Sequence, residues 1–306
     1  MKILKYLSIL IFSFIIIFFT IYSISGLLLI NNITPNISLI TQYQINFYNH
    51  GGIRNIWQSN KDCIEFDKDL IFIPKKKNCN FKNLEFNTNI SFDDYGRFSN
   101  HKEKKEKGIA VLGDSFAMGW GVNDKETFSA VLESLLDRPV YNLAVSGYGT
   151  IRELIRFKNS GLAESVDTVI IQYCYNDWNE NNLYNENSLK ESQEKFEIIS
   201  NSKPSSFFKK LRKSFRYSLK IPIELITQEK KILDFNGHNE VLKRIIANYP
   251  ILKNKNIIII YANSYNMRFK NFPPKDENKI NNLNFLDINL VEKDFYKIDG
   301  HLTKEG

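Results

Sequence analysis

From residue 108 onward the chain alternates short apolar runs with amphipathic ones, and this alternation constrains the fold more than any other feature. "IAVL" (109–112), "PVYNL" (139–143) and "DTVIIQYCY" (167–175) read as strands. The third is an unbroken apolar run, as expected of a strand buried on both faces. Between them, "ETFSAVLESLL" (126–136) and "TIRELIRFKNSGL" (150–162) carry apolar residues at helical spacing, the second stopping near Gly161. "EVLKRIIANYPIL" (240–252) predicts a helix, "NIIIIYANS" (256–264) a fourth strand and "LNFLDIN" (283–289) a fifth. Strand–helix–strand alternation predicts an α/β layer fold with a parallel sheet, whose ligands bind beyond the carboxyl ends of the strands. Residues 178–235 are polar and rich in Asn, Lys and Ser, and are expected to be an insertion or cap with some helix.

The N-terminus obeys a different rule. After Lys2 and Lys5 no charged side chain occurs until Arg54, and residues 6–30 are almost wholly apolar. That exceeds the ~20 residues needed to cross a bilayer. It is long for a cleaved signal, whose apolar region is usually ~7–15 residues. A small-residue site exists at "SIS" (23–25), but "GLLLI" continues the apolar run beyond it. The pattern favours an uncleaved single-pass signal anchor over residues 1–30. Lys2 and Lys5 orient its N-terminus to the cytoplasm, placing the remainder outside the membrane, in a periplasmic location. Residues 31–107, with turn signals at "HGG" (50–52) and "DDYG" (93–96), are expected to be a small irregular or β-rich lead-in. It ends in a charged linker, "HKEKKEKG" (101–108).

The net charge of +7 comes from lysines spread through Asn- and Ile-rich sequence. No dense basic–aromatic motif stands out, which argues against nucleic acid and leaves a membrane surface as the expected partner. Three cysteines are present. Cys63 and Cys79 are placed for a disulfide in an exported domain, with two free thiols as the alternative. Neither CxxC nor paired histidine occurs, so no metal site and no cofactor are expected.

Four chemistry-bearing stretches fall where strands end. The first strand runs into "GDS", with Asp114 and Ser115; the second into "NLAVSGYG", with Gly147; the third into "YNDW", with Asn176 and Asp177. "YKIDGHLTKEG" near the end of the chain holds Asp299 and His301. A serine hydroxyl becomes a nucleophile only with a base, and the base needs an orienting acid. Of the four histidines, His50 and His101 precede the sheet and His238 lies in a polar stretch before a helix. His301 is therefore the best base for Ser115, with Asp299 as its orienter. The Ser115 N–H, the Gly147 N–H and the Asn176 side-chain amide are candidate donors to an oxyanion. Asp114 is expected to orient the nucleophile's turn, and Asp177 to stabilise its loop.

Together these stretches resemble the SGNH (GDSL-type) hydrolase superfamily, whose Ser, Gly, Asn and His motifs occur here in family order between residues 108 and 306. The resemblance implies a flavodoxin-like three-layer α/β/α hydrolase domain over 108–306, carrying the insertion at about 178–235, preceded by the transmembrane helix and the lead-in. It implies ester or acyl-transfer chemistry, with Ser115 as nucleophile, Gly147 and Asn176 as oxyanion donors, and Asp299 and His301 completing a triad. Two departures stand out. Cys174 occupies the usual glycine position of the third motif, and the last motif reads Asp-Gly-His where Asp-x-x-His is common. The sequence also ends at Gly306 without the helix that usually follows the histidine motif, so truncation is an open expectation. The expected activity is that of a serine esterase acting on O-acyl groups of envelope carbohydrate or lipid. An O-acyltransferase on envelope polysaccharide, or a non-catalytic glycan- or partner-binding protein on the same fold, are the alternatives.

Overall fold

The computed structural model describes residues 2–98, 107–183, 206–219, 231–262, 267–274 and 282–306. Residues 101–106 of the charged linker, 184–205 and 220–230 of the insertion, and 263–264 at the end of the fourth strand run lie outside the described residues. The chain opens with helix α1 (Lys2–Ile30), then α2 (Ser38–His50). Five short strands follow: β1 (Ile64–Asp67), β2 (Ile71–Pro74), β3 (Asn78–Lys82), β4 (Asn87–Asp93) and β5 (Gly96–Arg97). The alternating part comprises β6 (Gly108–Leu112), α3 (Ser115–Met118), α4 (Phe128–Leu136), β7 (Val140–Asn142), α5 (Thr150–Asn159) and β8 (Val166–Tyr173). Then come α6 (Asp177–Leu183), α7 (Phe207–Ser218), β9 (Lys231–Asp234), α8 (Phe235–Asn248), β10 (Asn256–Tyr261), β11 (Met267–Lys270) and β12 (Leu283–Leu286).

Eight strands form one sheet in the order β12–β10–β8–β6–β7–β5–β4–β3. The first five are parallel. Beyond β7 the pairing turns antiparallel through β5, β4 and β3. The expected α/β fold with a parallel sheet is therefore present, and the lead-in extends its edge. Side chains alternate across the pleat. Ile109 and Val111 enter one apolar cluster with Ile170, Trp120 and the lead-in aromatics Trp57 and Phe81. Ala110 and Leu112 enter a second with Val169, Ile171, Leu154 of α5 and Leu242 of α8. Helices thus lie on both faces, and β6 is buried along its whole length.

Local signals set the element ends. Thr127 caps α4 by accepting from the Ala130 N–H, and Asp137 closes it in a left-handed conformation. On the α4 face, a cleft of about 390 Å³ is walled by Phe116, Leu132, Ile288, Leu290 and Leu302.

The lead-in also braces the loop after Ser115. Arg97 of β5 is buried and donates to the carbonyls of Met118, Gly119 and Val122 and to Asp124. Burial pushes its guanidinium down to about 10, against the pull of Asp124. Cys63 and Cys79 are joined by a disulfide, which ties the approach to β1 to β3. Cys174 is a buried free thiol.

Candidate active site

β6 delivers the peptide Gly113–Asp114–Ser115 to the carboxyl end of the sheet. Gly113 has φ +154°, and a Cβ there would meet Ala117 and Gln172 within 3.0 Å. The Asp114 carboxylate caps α3 by accepting from the Phe116 N–H at 3.0 Å. From β8, Gln172 turns its side-chain oxygen to the amides of Asp114 and Ala117, at 3.2 and 3.1 Å. The Ser115 hydroxyl is fixed at the first helical position by this double brace.

His301 approaches from the C-terminal segment. Its Nε2 lies 2.8 Å from Ser115 Oγ and its Nδ1 lies 2.5 Å from Asp299 Oδ1. The Phe116 ring lies against the imidazole, with centroids 4.8 Å apart. A tight turn makes the short Asp-Gly-His spacing workable: Gly300 has φ +81° and its N–H donates to the Tyr296 carbonyl. The two residues between which it sits can then face each other.

Asp299 is held by groups from the lead-in. Tyr48 donates its phenolic proton to Asp299 Oδ2 at 2.7 Å, and Arg54 Nε lies 3.4 Å from the same oxygen. The backbone amides of Ile298 and Asp299 donate to Glu85. Burial works to raise the Asp299 carboxyl. The charge and hydrogen bond of His301, the Arg54 charge and the Tyr48 hydroxyl outweigh it, holding the group well below the ordinary carboxylate range. Tyr48 shifts upward, through its own burial and the neighbouring Asp299 charge.

Asn176 is exposed just beyond β8, and its side chain and the Cys174 thiol both favour the charged form of the Asp114 carboxyl. Burial raises Asp114, partly offset by the Phe116 N–H and the His301 charge. Burial, with the charges of Asp114 and Asp177, pushes the Cys174 thiol well up, so it remains protonated and is no rival nucleophile. Gly147 is exposed in the loop after β7 at φ +87°, beside Gln58, whose amide donates to the Ser146 carbonyl at 2.9 Å. Asp177 bonds to α5 and to its own loop. It is buried, accepts from Thr150 Oγ1 at 3.1 Å and receives the Cys174 N–H at 3.4 Å. Burial and the charges of Asp114 and Glu180 raise it well above its ordinary value.

The other histidines in the described residues are engaged elsewhere. His238 is buried against the Tyr173 hydroxyl, 2.6 Å from Nδ1, and His50 stacks on Tyr217. His101 lies outside the described residues.

Tyr48, Arg54, Glu85, Arg97 and Gln172 were not marked by the sequence reading. Arg54 carries one usable signal: it is the first charge after a long uncharged stretch. The others have no local signature, because their partners lie far along the chain.

No family model and no curated protein matches the chain. Among solved structures, a variant of the esterase AlinE4 is similar over 53% of this chain and 62% of that one, at 18% identity and a TM-score of 0.25. TesA is similar over 49% of this chain and 77% of that one, at 14% identity and a TM-score of 0.25. The chain thus spans less than two thirds of the AlinE4 structure, and neither likeness bears on activity.

Proposed function

We propose that the protein is a serine esterase of the SGNH type, anchored in the membrane by α1, with its catalytic domain outside the cytoplasm. The observation that carries this reading is the relay from Ser115 Oγ through the His301 imidazole to the Asp299 carboxylate. His301 Nε2 takes the Ser115 proton as Oγ attacks the ester carbonyl. Asp299, kept ionised by Arg54 and Tyr48, holds the Nδ1–H tautomer and stabilises the imidazolium. The tetrahedral oxyanion is received by the Ser115 and Gly147 amides and the Asn176 side chain. His301 then protonates the leaving alcohol, and an acyl group remains on Ser115. Water resolves the acyl-enzyme to a carboxylic acid. The substrates proposed are O-acyl groups of envelope carbohydrate or lipid, because α1 would hold the site beside them. No cofactor enters any step.

The test is turnover of chromogenic acyl esters by the full chain in detergent micelles, with and without a polysaccharide acceptor. Release of free acid sensitive to Ser115→Ala supports an esterase. Acid release replaced by acylated polysaccharide supports a transferase. Binding of glycan with no turnover of any ester contradicts both.

A further inference from the structure

Helix α7 carries Lys209, Lys210, Arg212, Lys213 and Arg216 and no acidic residue. Among the described residues none of the five pairs with a carboxylate. Its inner face is small: Ser214 and Ser218 are buried, and Ser214 Oγ lies 2.5 Å from the Tyr43 hydroxyl of α2. Gly26 of α1 lets the two helices meet there, since a Cβ at Gly26 would overlap Ser214. To one side of that seam runs an apolar stripe at i, i+7 and i+11: Phe208, Phe215 and Leu219, which are 80%, 52% and 48% exposed. Large apolar side chains left open beside cations with no carboxylate partner among the described residues form the pattern of a helix lying in a membrane interface.

The level of α7 along α1 supplies an independent argument. From Ile3 to Ile21 no side chain of α1 is fully buried and only Phe18 and Phe19 are half-buried, whereas Tyr22, Ser25 and Leu29 are buried against the protein. At 1.5 Å per residue the part below the first fully buried residue is roughly 28 Å long, close to the ~30 Å of a bilayer's hydrocarbon core. Its upper end is where α7 docks: the Phe19 and Phe215 rings are 6.2 Å apart. The stripe of α7 therefore lies at the rim of the apolar span.

Resting on the reading of α1 as a membrane span, we propose that α7 is an interfacial helix that sets Phe208, Phe215 and Leu219 into the membrane surface and binds anionic phospholipid headgroups through its five cations. It would fix the tilt and depth of the domain, which a single span leaves free to swing.

The test uses the full chain in nanodiscs of phosphatidylcholine, alone or mixed with phosphatidylglycerol. A nitroxide is placed on a single introduced cysteine at Phe12 or Phe208, with Cys174 buried and the other two cysteines bridged. Collision rates with oxygen and with a water-soluble nickel chelate report depth. A deep label at 12 and a label at 208 at the headgroup boundary support the proposal. A deep label at 12 with a fully aqueous label at 208 overturns it while sparing the anchor. An aqueous label at 12 defeats the anchor reading and this proposal with it. In the mixed discs, spin-labelled phosphatidylglycerol should associate several-fold more than spin-labelled phosphatidylcholine. Replacing the five cations with Gln should bring the two to parity. Equal association by the parent chain overturns the headgroup assignment.

Discussion

Asp299 joins the two halves of the sequence at a single carboxylate, with Tyr48 on one oxygen and His301 on the other. A carboxyl whose folded pKa is depressed contributes stability above its unfolded pKa and loses it as pH falls through the folded value. Tyr48→Phe removes one cause of that depression. The variant should lose roughly 1.5–3 kcal/mol near neutral pH, as for hydrogen bonds to charged groups. The difference should be flat from about pH 5 to about pH 8 and shrink only below about pH 4, where the ordinary carboxyl range ends. Urea melts at several pH values measure this, and a constant difference down to acid pH would contradict it. Glu153 on α5 has the opposite sign. Both its carboxyl oxygens are buried without a hydrogen-bond partner among the described residues. Burial, then the charges of Asp177, Asp114 and Glu180, raises it well above its ordinary value. The folded state then holds the proton more tightly than the unfolded one, so stability falls as pH rises above the ordinary carboxyl pKa. Glu153→Gln should melt a few degrees higher than the parent at pH 8 and little differently at pH 5, by calorimetry. Residues at this scale were legible where a short motif gathers them, at the end of β6 for Ser115 and in one C-terminal turn for Asp299 with His301, which the structure brings together. Tyr48 was not, because its partner is 251 positions away and no local pattern announces that meeting.

At the scale of elements, the strands and helices after residue 108 follow from hydrophobic periodicity, and the parallel sheet from their alternation. What periodicity did not convey is that β5, β4 and β3 continue the same sheet. Those strands are short and interrupted by turns, so they read only as an irregular or β-rich lead-in. Their placement depends on the free edge of β7, a tertiary fact. The same edge brings Arg97 under the loop that follows Ser115. Removing one member of a buried ionic and hydrogen-bonded set leaves the others unpaired, which typically costs about 3–5 kcal/mol. Arg97→Met should destabilise by that order and lower ester turnover at temperatures where the variant is still folded. An unchanged urea midpoint would contradict the role of Arg97 as a brace. The disulfide works in the lead-in too. Its two cysteines are 16 residues apart. Closing such a loop contributes roughly 3 kcal/mol in the chain-entropy model. Cys63→Ala with Cys79→Ala should lower the urea midpoint accordingly without abolishing serine reactivity.

At the scale of the whole molecule, the sheet that carries Ser115 takes its supporting strands, its buried arginine and the tyrosine that holds Asp299 from the segment after α1. Deleting residues 31–106 should therefore leave an insoluble or protease-sensitive remainder, since it bares the β7 edge and removes Trp57, Phe81 and Phe92 from the core. A soluble, protease-resistant product would show that the lead-in is dispensable. The central claim is that Ser115 is an activated nucleophile, and intact-mass spectrometry of the full chain in detergent after a fluorophosphonate measures it most directly. The account predicts one adduct on the parent chain, none on Ser115→Ala, and labelling at least about 10³-fold slower on His301→Ala, in line with the loss of a triad base. No adduct on a parent chain with an intact melting transition would contradict it, and so would an adduct that survives Ser115→Ala.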